Sequence, residues 1–294
     1  LRRFSQFAAL DWSGQAVARP KGIALAQCDA GRAAPELLQP PQGWSRGAVL
    51  DWLLDHADRA SDLLIGIDFS PSLPFEDQGA YFPGWRESPG DARSLWELVD
   101  RLCADEPHLS ASSFALRSDI ARHYRRMDGP RPVTGEAFTP GLGRLRMVER
   151  LCRTGGHGPA ISSFNLVGAA QVGKSSLTGM RLLHRLNGRV PIWPFDPVPD
   201  RGPLIVEIYT TIAARTAGAV GSRSKIRDAV SLDAAVTRLG SERPATLVRY
   251  DDHATDAILT AAWLRAYTAV LSLWSPSALT PALARTEGWT FGVP

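Results

Sequence analysis

Two stretches of the chain end an apolar run on an aspartate: FAALDWSG, with Asp11, and LLIGIDFSP, with Asp68. Each aspartate is followed by an aromatic residue and a serine, Trp12 and Ser13 in the first, Phe69 and Ser70 in the second. A carboxylate at the end of a buried strand is costly unless something pairs with it. A third apolar run, LIVEIYTT, carries Glu207 just past its centre, and DDHATDAILTAA sets Asp252 and Asp256 on one face of a helix start. In open α/β sheets, ligands sit beyond the carboxyl ends of the strands. If the helix start packs there too, these carboxylates meet at one place, and hard divalent cations relieve such repulsion. Sites of this kind run two-metal phosphoryl transfer. Taken singly, each aspartate also reads as a turn or cap residue, and Asp252 alone reads as a helix cap; only the set, in consistent order, points to a metal.

A second constellation competes. VGAAQVGKSSLTGM holds Gly168, Gly173, Lys174 and Ser175 in the spacing G-x-x-x-x-G-K-[ST], after the strand-like SSFNLV and before an apolar-periodic helix. That is the context of a phosphate-binding loop, whose amides cradle phosphates while the lysine reaches the terminal ones and the serine holds magnesium. Against a nucleotide-binding core, too little α/β sequence follows, and Gly179 interrupts the helix pattern. Between these readings, Gly173, Lys174 and Ser175 are expected to contact a substrate phosphate without any ATPase activity.

Basic residues form the third feature. The chain has only three lysines, Lys21, Lys174 and Lys225, among its 33 Lys and Arg residues, a bias that GC-rich coding produces. Nine arginines fall between residues 117 and 153. ALRSDIARHYRRMD reads as a helix carrying Arg122, Arg125 and Arg126 around Tyr124, a patch for phosphate backbones with an aromatic free to stack on bases. For any one of these arginines, a solvated helix face is the better explanation; only the group points to nucleic acid.

The elements that must position these residues follow from periodicity. Strands are expected at FAALDWS, KGIALAQCD, ELLQP, LLIGIDFS and LIVEIYTT, and also at SSFNLV. Helices are expected at SRGAVLDWLLDHADRA with Ser45 as N-cap, at SLWELVDRLCA, SLTGMRLLHRL and SKIRDAVSLDAAVTRLG, and as one long helix through DDHATDAILTAAWLRAYTAVLSLW. Residues 1–294 are read as one domain, in which 71–159 is an insertion over one end of the sheet.

Bulk numbers exclude several classes. A net charge of +3 is too small to name a partner, and no apolar stretch reaches membrane-span length. Cys28, Cys103 and Cys152 are odd in number and lack CxxC spacing, which argues against a disulfide framework or a zinc site. A cytoplasmic protein is expected, and the start at Leu1 reads as trimmed.

The series ALDWSG, GIDFSPSLP, VEIYTT and DDHATDAILTAA resembles the family catalogued as domain of unknown function 429, predicted RNase H-like nucleases. The resemblance covers roughly residues 5–70 and 160–294. It implies an α/β, RNase H-like fold: a mixed five-stranded sheet in order 3-2-1-4-5, helices on both faces and a large insertion. The order of acids is similar to that in Holliday-junction resolvases of the same fold. That similarity implies Asp11, Asp68 and Asp256 as the ligand core for magnesium or manganese, Asp252 and Glu207 as additional ligands, and His253 as an aid to proton transfer or metal binding. One departure is that the resolvases carry Glu where this chain has the shorter Asp68. The implied function is a metal-dependent nuclease acting on DNA or RNA, as a homodimer if the substrate is a junction. Its rivals are a phosphotransferase or NTPase using Lys174, and a non-catalytic nucleic-acid-binding module.

Overall fold

The computed structural model describes residues 2–141, 143–168, 171–219 and 225–294. Its centre is a six-stranded mixed sheet in the order β3-β2-β1-β4-β8-β7. The strands are β1 (Gln6–Asp11), β2 (Ala24–Asp29), β3 (Glu36–Leu38), β4 (Leu63–Asp68), β7 (Ile192–Trp193) and β8 (Leu204–Glu207). A separate hairpin joins β5 (Arg125–Asp128) to β6 (Arg131–Thr134). β1, β4, β8 and β7 run parallel, while β2 and β3 fold back antiparallel on the other side. The expected order 3-2-1-4 holds, and the strand with Glu207 lies next to β4 as foreseen. The count differs: the edge strand β7 makes six strands, because its two residues are too few to show a period.

Parallel strands covered on both faces need apolar residues on both, and the sequence supplies them. Ala8, Leu10, Ile65 and Ile67 face a core shared with α1 (Arg46–Asp58), α2 (Ala92–Leu102) and α5 (Val172–Arg185). Phe7, Ala9, Leu64 and Val206 face the opposite core, with α4 (Met147–Thr154), α6 (Thr210–Thr216), α7 (Ala229–Arg238) and α8 (Asp252–Tyr267). Residues 71–159 therefore belong to both layers, α2 on one side and α4 on the other. Glu287 ties them to the end of the fold: its carboxylate accepts from the backbone N–H groups of Phe75, Glu76 and Met147 at 2.6–2.8 Å.

Ser45 caps α1 as expected, accepting from the Ala48 N–H. Asp251, not Asp252, caps α8, accepting from Ala254, so Asp252 is the first helical residue. The long helix expected through Trp274 ends at Tyr267, and a short helix, α9 (Leu271–Trp274), follows. The helix expected from Ser224 begins only at Ala229, where Asp228 provides the cap. SSFNLV forms no strand of the sheet and makes a single bridge, Asn165 to Arg125. The arginine-rich helix is replaced by a one-turn α3 (Ser118–Ala121) followed by β5. Tyr124 is fully buried, edge-on to Phe164 at 4.9 Å, and cannot stack on a base.

Close approach between the layers depends on Gly66 in β4. A Cβ there would lie 2.6 Å from Ile208 and 2.8 Å from Leu264. The missing side chain lets α8 settle directly over β4. Gly66→Val is expected to lose about 1–3 kcal/mol of stability through overpacking, read as a lower midpoint in urea denaturation.

Candidate active site

β1 and β4 pair in register, so Asp11 lies directly beside Asp68. Neighbouring strands are about 4.8 Å apart, which brings two carboxylates side by side. Side chains alternate along a strand, so Asp11 follows Phe7 and Ala9, and Asp68 follows Leu64 and Gly66, onto the face that α8 covers. The first turns of α8 bring His253 and Asp256 to the same place. His253 Nδ1 is 2.7 Å from Asp11 Oδ2, and Asp68 Oδ2 accepts from Thr210 Oγ1 at 3.2 Å.

The charges register this crowding. Burial, and after it the charges of Asp11 and Asp256, push Asp68 well above the usual carboxylate range. Burial also raises Asp11, although its hydrogen bond from His253 opposes the shift. That same bond holds His253 above its ordinary value and favours the imidazolium. Burial raises Asp256 to about 6 despite the opposing charge of Lys225, with Asp11 adding to the rise. Lys225 Nζ stands 3.1 Å from Asp256 and 3.6 Å from Asp252, and Arg227 Nε is 3.2 Å from Asp252. Although burial works the other way, these two cations hold Asp252 below its ordinary value. Among the described residues, no three His, Cys, Asp or Glu side chains are arranged as a ready ligand set for a metal ion.

Glu207 departs from its expected role as an additional ligand. Both of its oxygens are taken by buried Arg146, Nη2 to Oε1 at 2.5 Å and Nη1 to Oε2 at 2.9 Å, and Thr290 Oγ1 donates to Oε1 at 2.8 Å. Arg146 also bonds Glu149 through Nε at 2.9 Å and Ser70 Oγ through Nη2 at 3.1 Å. A carboxylate so fully paired is a structural charge rather than an open metal ligand.

The phosphate-loop expectation meets a second obstacle. Gly168 is described, but two positions between it and Gln171 lie outside the described residues. Gly173, Lys174 and Ser175 lie in the first turn of α5, and among the described residues no sheet strand leads directly into it. The Gly173 N–H donates to Asn165 O at 3.2 Å and the Lys174 N–H to Gln171 O at 3.1 Å. Two amides that should cradle a phosphate are thus engaged with the chain's own carbonyls. The glycines serve contact instead: a Cβ on Gly173 would lie 2.2 Å from Ser163 O, and one on Gly179 2.5 Å from the Phe69 ring. A Cβ on Gly14 would lie 2.3 Å from the Lys174 carbonyl carbon, so the loop after Asp11 is pressed onto the start of α5. Arg46 pins that loop further, donating to the carbonyls of Ser13 and Gln15 at 2.8 Å. The side chain of Lys174 is exposed and lines a cavity that also holds His253.

Two cavities flank the cluster. One of about 200 Å³ is lined by Asp68, Phe69, Tyr209 and the Arg146 network. The other, about 600 Å³, is lined by Lys174, Ser175, Arg126 and His253 and runs along the start of α5. Trp12 separates the two and donates from Nε1 to Thr178 Oγ1 at 3.0 Å. Of the three arginines expected to bind nucleic acid, Arg126 alone lines either cavity. Arg122 is paired with Glu136 at 2.9 Å, and Arg125 is exposed. No protein family, curated protein or solved structure was found to match this chain.

Arg146, Lys225 and Thr210 escaped the sequence reading. Lys225 had a weak signal, being one of only three lysines in the chain. Arg146 had none, being one arginine among many.

Two outcomes follow from these charges. Arg146→Met leaves Glu207 and Glu149 without their buried cation and is expected to cost about 3–5 kcal/mol, measured by chemical denaturation. Asp256→Asn is expected to raise the melting temperature at about pH 8 in chelator-containing buffer. The protonated carboxyl of Asp256 contributes stability that is complete below its ordinary value of 3.8 and is lost as pH rises through about 6. The variant's advantage over wild type therefore shrinks as the pH is lowered across that window.

Proposed function

We propose that the protein is an RNase H-like nuclease that uses magnesium or manganese to hydrolyse phosphodiester bonds, akin to the predicted nucleases catalogued as domain of unknown function 429. The observation that carries this reading is the in-register pairing of Asp11 with Asp68 at the carboxyl ends of parallel strands, with Asp256 near enough to raise Asp68 by its charge. The donor chemistry fits a hard cation, since these are oxygen ligands whose mutual repulsion a divalent ion relieves. Asp11, Asp68 and Asp256 would hold it, Asp256 giving up its contact with Lys225. When bound, such an ion activates water and neutralises charge on the phosphoryl oxygens.

The chain's own groups supply the rest. His253, oriented by Asp11, can take or return a proton at the mouth of the larger cavity. Lys174 and Arg126 would hold phosphates of the strand that lies there. Asp252, engaged by Arg227 and Lys225, keeps those two cations beside the site. A nucleotide-hydrolysing role for Lys174 is less favoured because the Gly173 and Lys174 amides are already bonded. Three buried free cysteines suit a reducing, cytoplasmic setting.

The decisive experiment sets labelled single-stranded, duplex and branched DNA and RNA against wild type and Asp68→Asn, with Mg²⁺ or Mn²⁺. Wild type is expected to cut only with metal, and the variant to lose at least about a hundredfold in rate, in keeping with removal of a group that stabilises the transition state. Mn²⁺ is also expected to raise the melting temperature of wild type but not of the variant. A folded wild type that neither cuts any substrate nor responds to metal would turn the reading to a non-catalytic binding module.

A further inference from the structure

The larger cavity carries information about the form of the substrate. Among the described residues its lining contains no carboxylate, yet it opens onto an acidic cluster through His253. Lys174 and Arg126 supply fixed positive charge to the lining. The same cavity is lined by Leu116 and Met127, 60% and 41% exposed, two of the few large apolar side chains that the fold leaves in water. They come from different segments, the turn Phe114–Leu116 and strand β5, and converge on one groove.

Cations beside exposed apolar side chains fit a ligand with phosphates along one edge and flat apolar faces along the other. In a duplex the base faces are stacked inside and only the edges reach the grooves. In a single strand the faces are free, and sites for such strands combine a basic track with surfaces on which bases pack. Methionine suits that contact, since its polarisable sulfur packs well against aromatic rings. We infer that this groove binds single-stranded nucleic acid, with unpaired bases against Leu116 and Met127 and the backbone on Lys174 and Arg126. The inference rests on the nuclease reading and specifies its substrate class. The groove's position beside Asp11 then presents a flexible strand, rather than a paired one, to the carboxylates.

The test uses Asp68→Asn, so that binding is read without cleavage, and follows the anisotropy of labelled short oligonucleotides as single-stranded DNA, single-stranded RNA and duplex. Single strands are expected to bind at least about tenfold more tightly than duplex, and the DNA and RNA arms report which sugar is preferred. Adding Leu116→Ser and Met127→Ser should weaken single-strand binding about tenfold and leave the melting temperature unchanged, since both side chains are exposed. Lys174→Gln should lower affinity for every strand and reduce the salt slope by about one. Equal or tighter duplex binding, no binding at all, or no effect of the Leu116 and Met127 substitutions would overturn the inference. Tight single-strand binding with no cleavage by wild type would leave the groove standing and remove the catalytic reading. Metal-dependent cutting with duplex preference would do the reverse.

Discussion

Asp11 and Asp68 lie side by side because β1 and β4 pair in parallel and in register, and like charges at that spacing oppose the folded state. The surrounding structure is built to withstand this opposition. Thr210 donates to one carboxylate, His253 contacts the other, and Lys225 draws off the nearby charge of Asp256. The start of α8, where the helix dipole favours negative charge, faces the same point. None of these contacts neutralises the pair, and burial keeps both aspartates raised. Protein sites that store unfavourable charge in this way are often functional ones.

Glycine sets the distances around the cluster. Gly66 brings α8 down onto β4, while Gly14, Gly173 and Gly179 bring α5 against the strand ends and their connecting loops. A sequence pattern of the form G-x-x-x-x-G-K-S can therefore arise from the needs of the fold. Gly168 takes a positive φ and Gly173 a close backbone contact, while the lysine and serine occupy the first helical turn and the Gly173 and Lys174 amides bond to the chain's own carbonyls. The Lys174 and Ser175 side chains remain at the cavity.

Strands with strong apolar runs were legible in the sequence, and so were their acids, because a carboxylate at the end of such a run breaks the pattern. The order 3-2-1-4 was an implication of the family resemblance rather than of any one strand's pattern. Glu207 was legible as an unusual residue but not as a paired one, since its partner Arg146 lies 61 positions away in a stretch where arginine is common. The arginine-rich segment misled for a related reason. Its helical spacing is real over ALRSDIARHYRRMD, but burial of Tyr124 and the bridge from Arg125 to Asn165 outweigh local propensity and turn the chain into a hairpin. Helix ends shifted by a few residues wherever an adjacent aspartate provided a better cap.

The fastening of residues 71–159 by Glu287 and Thr290 bears on how the molecule is made. Glu287 holds the backbone at Phe75, Glu76 and Met147, and Thr290 completes the shell of Glu207 that Arg146 begins. Until those two late residues emerge during synthesis, Glu207 lacks one of its donors and the loop at Phe75 has no acceptor for its amides. All six strands of the sheet precede Glu287 in the sequence, so the contacts around Glu207 and Phe75 are completed by residues translated after the sheet. Synthesis thus supplies a clasp after the sheet it fastens, and a chain ending just before Glu287 would keep the Arg146 ion pairs but lack the acceptor for the Phe75, Glu76 and Met147 amides.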